Sequence, residues 1–212
     1  MLHERADFVA CVVGDDIYVV GGRNRFGAIS RCEKYDCRLN EWTPIMNLPQ
    51  GIYMASGVSL NGCIYVAGGF NDCEALGSMM RYSTITNSWE EMVSPMMVDR
   101  GYHVMIQGPD EKLWVVGGVD NPFAGRNVWE IEAFDTTSNN WLFLGQVLPV
   151  QPFLSTLRLN VCKNDRNHIC VFSVSKPLAY PSVAYDDTER MWYQMRNYAD
   201  FPNIAIDGCV IK

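Results

Sequence analysis

The side chains best able to hold a metal or act as nucleophiles are eight cysteines and three histidines. They are Cys11, Cys32, Cys37, Cys63, Cys73, Cys162, Cys170 and Cys209, with His3, His103 and His168. A structural zinc site needs cysteines two to four residues apart, or histidines brought in at similar spacing. The chain has no Cys-x-x-Cys, and its histidines are far apart, so no metal centre and no cofactor are expected. An even cysteine count raises the question of disulfides. With 212 residues the chain can build its own core, and Met1–Asp7 carries no apolar signal segment, so reduced structural thiols are expected. A redox-sensing thiol remains the alternative, assigned to no particular cysteine.

A second chemical candidate is "IYVVGGRNR", from Ile17 to Arg25. A glycine pair after an apolar run could cradle a phosphate. A phosphate loop, however, continues into Lys-Ser/Thr and a helix. Here Arg23 and Asn24 follow Gly22 with no helical periodicity behind them, so a nucleotide site is not expected. No Ser/His/Asp set and no paired carboxylates stand out, and an enzyme is not expected.

The stretch recurs, which explains its glycines. "IYVVGG" (17–22) returns as "IYVAGG" (64–69) and "LWVVGG" (113–118), with a worn copy, "ICVFSV", at 169–174. A second marker keeps step: an aromatic residue precedes a tryptophan by seven positions in Tyr35/Trp42, Tyr82/Trp89, Phe134/Trp141 and Tyr185/Trp192. Each copy holds four short runs of β-forming residues divided by turn signals. In the first they are 8–13, 17–21, 31–36 and 41–45. Asn61-Gly62 is a tight hairpin signal between two of them in the second. Each copy therefore reads as a four-stranded antiparallel sheet, apolar on both faces, which must pack against its neighbours to be buried.

A period of about 50 residues with a glycine pair and a spaced aromatic/Trp resembles the kelch repeat, the unit of kelch β-propellers. The expected fold is all-β, with blades at about 3–49, 50–96, 97–149 and 150–202 and the first strand of a fifth at 203–212. Kelch propellers usually close with about six blades, so the resemblance implies a part of a larger ring, with a small or oligomerising propeller as the alternative. The glycines are expected where backbones crowd, and the Tyr/Trp pairs in the wedges between blades.

In such a blade the post-glycine loop and the segment joining successive blades share one rim, which in kelch domains grips partner proteins. The residues placed there are Arg5, Arg23, Asn24, Arg25, Tyr53, Phe70, Asn71, Arg100, Tyr102, Asp120, Phe153 and Lys176. Phe26, Phe123 and Tyr180 add to the rim's aromatics. Arginine offers a bidentate fork and aromatics offer area, a combination suited to a protein partner or peptide degron. Arg23-Asn24-Arg25 is similar to a Gly-Gly-Arg-Asn loop of kelch adaptors that bind an acidic degron. Ala6 and Tyr53 depart from that pattern, where those adaptors carry a serine and a second arginine. His103 stands where the family usually has a histidine in its first strand and is expected to be buried and hydrogen-bonded.

The formal net charge of −7 argues against a nucleic-acid surface, and no segment is apolar enough to suggest a membrane span. The copper oxidase of kelch fold needs Tyr, Cys and His ligands together, and sialidases need Asp-box motifs; neither set occurs. The repeat style resembles the kelch-like family of BTB-BACK-kelch adaptors for Cullin-RING ubiquitin ligases. That implies a non-enzymatic, cytoplasmic recognition module, with the nucleus as a second location. It would reach a Cullin-RING ligase only through BTB and BACK domains, which these residues do not contain. An actin-binding or cytoskeletal scaffold is the alternative.

Overall fold

The computed structural model describes residues 1–108, 110–123, 125–147, 159–163, 168–173, 183–194, 205–206 and 209–210. Its named elements are all β-strands. Among the described residues no helix is long and apolar enough to cross a membrane.

Four sheets, each of four antiparallel strands taken in chain order, form the architecture. The first comprises Val9–Val13, Asp16–Val20, Cys32–Asp36 and Glu41–Ile45. The second comprises Ser56–Leu60, Cys63–Ala67, Met79–Ser83 and Ser88–Glu91, and the third Val104–Gln107, Leu113–Val116, Glu130–Asp135 and Asn140–Val147. The fourth comprises Leu159–Lys163, Ile169–Ser173, Val183–Asp186 and Met191–Gln194. The turns behave as their residues require. Asn61 and Gly62 both have positive φ, at 51° and 75°, as a two-residue hairpin turn of this hand demands. The tail departs from the single strand expected at 203–212. Ala205–Ile206 pairs back on Cys209–Val210, and the intervening Asp-Gly is itself a hairpin sequence.

First strands lie side by side from sheet to sheet, Val9–Val13 against Ser56–Leu60, then Val104–Gln107, then Leu159–Lys163. The spacing of seven is a cross-strand pair. Tyr35 faces Trp42, Tyr82 faces Trp89, Phe134 faces Trp141 and Tyr185 faces Trp192 across their last two strands, with ring centroids 5.0–5.3 Å apart. The second, third and fourth pairs fill the wedge against the preceding sheet. Tyr82 and Trp89 join Val9, Cys11, Tyr18 and Val20, while Phe134 and Trp141 join Tyr65, Ala67 and Met79. The indole N–H then donates backward, Trp89 to the Met46 carbonyl (2.8 Å) and Trp141 to that of Ser94 (3.0 Å). In the first sheet the same row is more open. Val12 is 57% exposed, and Tyr35 and Trp42 are only half-buried, whereas Phe134 is fully buried.

The glycine pairs sit where the second strand meets the segment joining two sheets. Gly22 has φ 102°, and a Cβ there would fall 2.8 Å from the Ala6 carbonyl oxygen. Gly69 has φ 91°, with the Tyr53 carbonyl at the same distance. Both conformation and space therefore require glycine. Among the described residues, Cys11 and Cys32 are free and buried, Cys63 is free and half-buried, and Cys37 and Cys73 are free and exposed.

Candidate functional site

The rim is built by a repeated backbone bridge. The residue pairs Ala6 and Arg23, Tyr53 and Phe70, and Gly101 and Val119 pair antiparallel, tying each joining segment to the loop that leaves the glycine pair. The next residue of each segment, Asp7, Met54 or Tyr102, takes positive φ (57°, 54° and 58°), which turns the chain back into its first strand.

Four of the expected residues meet in one row. Tyr53 packs on Phe70 (centroids 5.8 Å) and Phe70 on Tyr102 (5.6 Å). The Arg23 guanidinium lies 4.9 Å over the Tyr53 ring and pairs with Asp7, Nε to Oδ2 2.6 Å. Burial works against the charge on Arg23, but the Asp7 carboxylate outweighs it and holds its pKa above the ordinary value. Tyr53 and Phe70 are buried, so they support the surface more than they present it. Burial also raises the Tyr53 phenol pKa.

The post-glycine loops share an internal device. In each, an asparagine side chain accepts a backbone N–H two residues on: Asn24 from Phe26 (2.9 Å), Asn71 from Cys73 (2.8 Å) and Asn121 from Phe123 (2.9 Å). Asn24 and Asn71 therefore shape the loops. Asp120 does likewise, accepting the Arg126 backbone N–H at 2.8 Å and its Nε at 2.9 Å. What the turns project is apolar. Phe26 is 81% exposed and Phe123 80%. They are the most exposed large hydrophobic residues of the described rim, and the Asn-x-Phe spacing is the sequence signal that singles them out. Arg25 is exposed, stacks on the Phe26 ring at 4.6 Å and makes no ion pair among the described residues. Beside it, Leu2, His3, Glu4, Arg5, Ala6 and the Arg23–Phe26 loop line an open hollow of about 840 Å³.

Arg5 and Arg100 correct the sequence reading. Both were expected to face a partner, yet both side chains are fully buried. Arg5 donates to the Gly21 and Arg31 carbonyls (2.8 and 2.5 Å) and to Glu33 (2.5 Å). Arg100 donates to the Gly117 and Glu130 carbonyls (3.2 and 2.7 Å) and to Glu132. A buried guanidinium is tolerated when a carboxylate and carbonyls take its donors. Burial lowers the Arg100 pKa and Glu132 opposes that shift. For Glu33 burial acts upward, but N–H donation from Leu2 and the contacts of His3 and Arg5 outweigh it and lower the pKa. His103 is buried as expected; the Ala67 and Arg100 carbonyls act on its ring, but neither ring nitrogen has a partner of good hydrogen-bond geometry among the described residues. Phe153 and Lys176 lie outside the described residues.

Sequential four-stranded sheets packed first strand to first strand, with loops gathered on a common rim, define a β-propeller. The family model for the kelch motif matches residues 4–49 and 52–96. Kelch-like protein 36 of Rattus norvegicus is 30% identical over 155 residues, covering 70% of this chain and 25% of its own. Kelch-like protein 35 of Mus musculus is 25% identical over 208 residues, covering 98% of this chain and 33% of its own. The solved structure of YjhT, a kelch propeller, superposes with a TM-score of 0.71 at 18% identity, over 91% of this chain and 65% of that one. The chain is a kelch-repeat propeller of the kelch-like family. It spans about a quarter to a third of the length of the curated relatives it matches.

Proposed function

We propose that this propeller is a protein-recognition module whose rim, centred on the first two blades, grips a partner. The observation that carries the reading is the continuous surface formed by Arg23 over Tyr53, the Tyr53–Phe70–Tyr102 row beneath, and the exposed Arg25–Phe26 stack beside it. An exposed aromatic held by a hydrogen-bonded turn is an anchor that loses little entropy on binding, and arginine adds directional donors. Within the larger protein the module would select substrates for a Cullin-RING ubiquitin ligase, as a BTB-BACK-kelch adaptor does. The kinship with kelch-like proteins supports that reading, and an actin-binding scaffold is the alternative. The proposal includes a non-catalytic role and a chiefly cytoplasmic setting.

The test is affinity capture from cell lysate with the wild-type chain and with Arg23→Ala/Arg25→Ala/Phe26→Ala, each checked for an unchanged unfolding midpoint. Loss of a discrete protein with the variant supports the rim, and ubiquitination of that protein by the full-length adaptor supports the ligase role. Equal recovery of every partner by both proteins refutes the rim. Recovery of actin as the rim-dependent partner would favour the scaffold reading.

A further inference from the structure

The two arginines withdrawn from the surface are placed where they could govern it. Arg5 holds the carbonyls of Gly21 and Arg31, the residues on either side of the 22–30 loop that carries Phe26. Arg100 does the same for Gly117 and Glu130, which flank the loop carrying Phe123. In each case one Nη1 spans both ends of the loop while Nη2 is fixed by a buried glutamate on the blade's third strand. The glutamates hold the joining segments in turn: Glu33 accepts the backbone N–H of Leu2 (2.6 Å) and His3 (3.2 Å), and Glu132 those of Met97 (2.6 Å) and Val98 (3.3 Å).

The second blade provides an internal contrast. Aligned by the bridges of Ala6, Tyr53 and Gly101, Arg5 and Arg100 correspond to Ile52. By strand register, Glu33 and Glu132 correspond to Met80. Ile52 and Met80 are both buried in the apolar core between the first two blades. The base of their loop keeps the backbone bond that the first blade also has, Gly68 N–H to the Ser78 carbonyl (2.9 Å) as Gly21 N–H to the Arg31 carbonyl (3.2 Å), but among the described residues no side-chain fork spans it. That loop presents Cys73 where the first and third blades present phenylalanine.

We propose that Arg5 and Arg100 are positioning residues of the recognition rim. Each clamps the base of one loop so that Phe26 and Phe123 are presented in a fixed direction, while the second blade's loop is left without such a clamp. This rests on the rim reading above. A lysine could keep the ion pair but could not span two carbonyls and a carboxylate with one planar group.

The test is amide hydrogen exchange on the whole chain for wild type, Arg100→Lys, and Arg100→Ile/Glu132→Met, the last installing the second blade's own pair. In both variants the amides of Val119, Asp120 and Asn127 should exchange at least tenfold faster, while those of Leu113–Val116 keep wild-type protection. Loop protection unchanged in Arg100→Lys would overturn the proposal and leave the pair as core filling. So would loop and core amides accelerating by the same factor, since the arginine would then support the blade as a whole. If the double variant does not fold, Arg100→Lys alone decides between these outcomes. Hydrogen exchange needs no partner, so a clamp seen here stands even if the Arg23/Arg25/Phe26 variant captures the same proteins as wild type.

Discussion

His103 makes the sharpest quantitative prediction. Its imidazole is fully enclosed beside Arg100, with no hydrogen bond of good geometry at either ring nitrogen among the described residues, and burial first and Arg100 second push its pKa down from 6.5 to about 3. The carbonyl groups of Ala67 and Arg100 pull the other way and are outweighed. The folded chain therefore keeps this histidine neutral at a pH where the unfolded chain protonates it. The unfolded state then binds more protons, so stability rises with pH across the interval. The contribution is complete above about pH 6.5 and falls by about 1.4 kcal/mol per pH unit as pH drops toward 3, a ceiling of about 5 kcal/mol. The reference is His103→Phe, because the first blade uses Phe8 at the corresponding place: a Cβ on Gly22 would lie 3.0 Å from the Phe8 Cβ, and one on Gly118 would lie 3.0 Å from the His103 Cβ. Urea unfolding of both proteins between pH 7.5 and 4 should show the wild-type free energy falling more steeply, the difference opening below pH 6.5. Carboxylates such as Glu33 act in both proteins and cancel. Parallel curves would refute the reasoning, and so would an NMR titration placing the folded His103 pKa near 6.5.

Two further predictions test packing and exposure. Trp141 is 7% exposed and donates to the Ser94 carbonyl, so Trp141→Ala should cost about 3–5 kcal/mol in urea unfolding. Trp42→Ala, at the corresponding half-buried position of the first blade, should cost about 1 kcal/mol. Equal losses would mean that the first blade's face is covered in solution. Maleimide at pH 8 should modify Cys37 and Cys73 in the native chain. It should reach Cys11 and Cys32 only on unfolding, because burial pushes these thiols up to about 12 and about 11. Labelling of Cys11 in the native state at the rate of Cys37 would contradict the packing of the first two blades.

The blades were legible because their signals are local and repeated. A residue pair seven apart that becomes a cross-strand pair, or a glycine pair needed at positive φ, is fixed by a few neighbouring residues and recurs at each copy. The surface was less legible. Phe26 and Phe123 gain their exposure from Asn-x-Phe turns, a pattern visible in the sequence but weighted below the charges around it. His103 was placed in the interior correctly, but the poor hydrogen-bond geometry of its ring depends on the distant Ala67 carbonyl and on Arg100, which no local pattern encodes.

Arg5 and Arg100 show why an arginine cannot be assigned to a surface by its loop. In sequence they are as much loop arginines as Arg23 and Arg25, and only the partner separates them. Arg5 meets Glu33 and Arg100 meets Glu132, about 30 residues away, at one fixed strand position. The repeat does contain that information. Where the arginine becomes Ile52 the glutamate becomes Met80, so charge leaves both sites together. A lone buried glutamate or guanidinium costs several kcal/mol, while an apolar pair of similar volume costs little. The two positions are therefore free to change only jointly. Comparing copies of a repeat at coupled positions distinguishes an arginine held by the fold from one available to a partner. By that criterion Arg25, with no coupled carboxylate among the described residues and a stacked, exposed phenylalanine beneath it, is a rim cation that the fold does not hold.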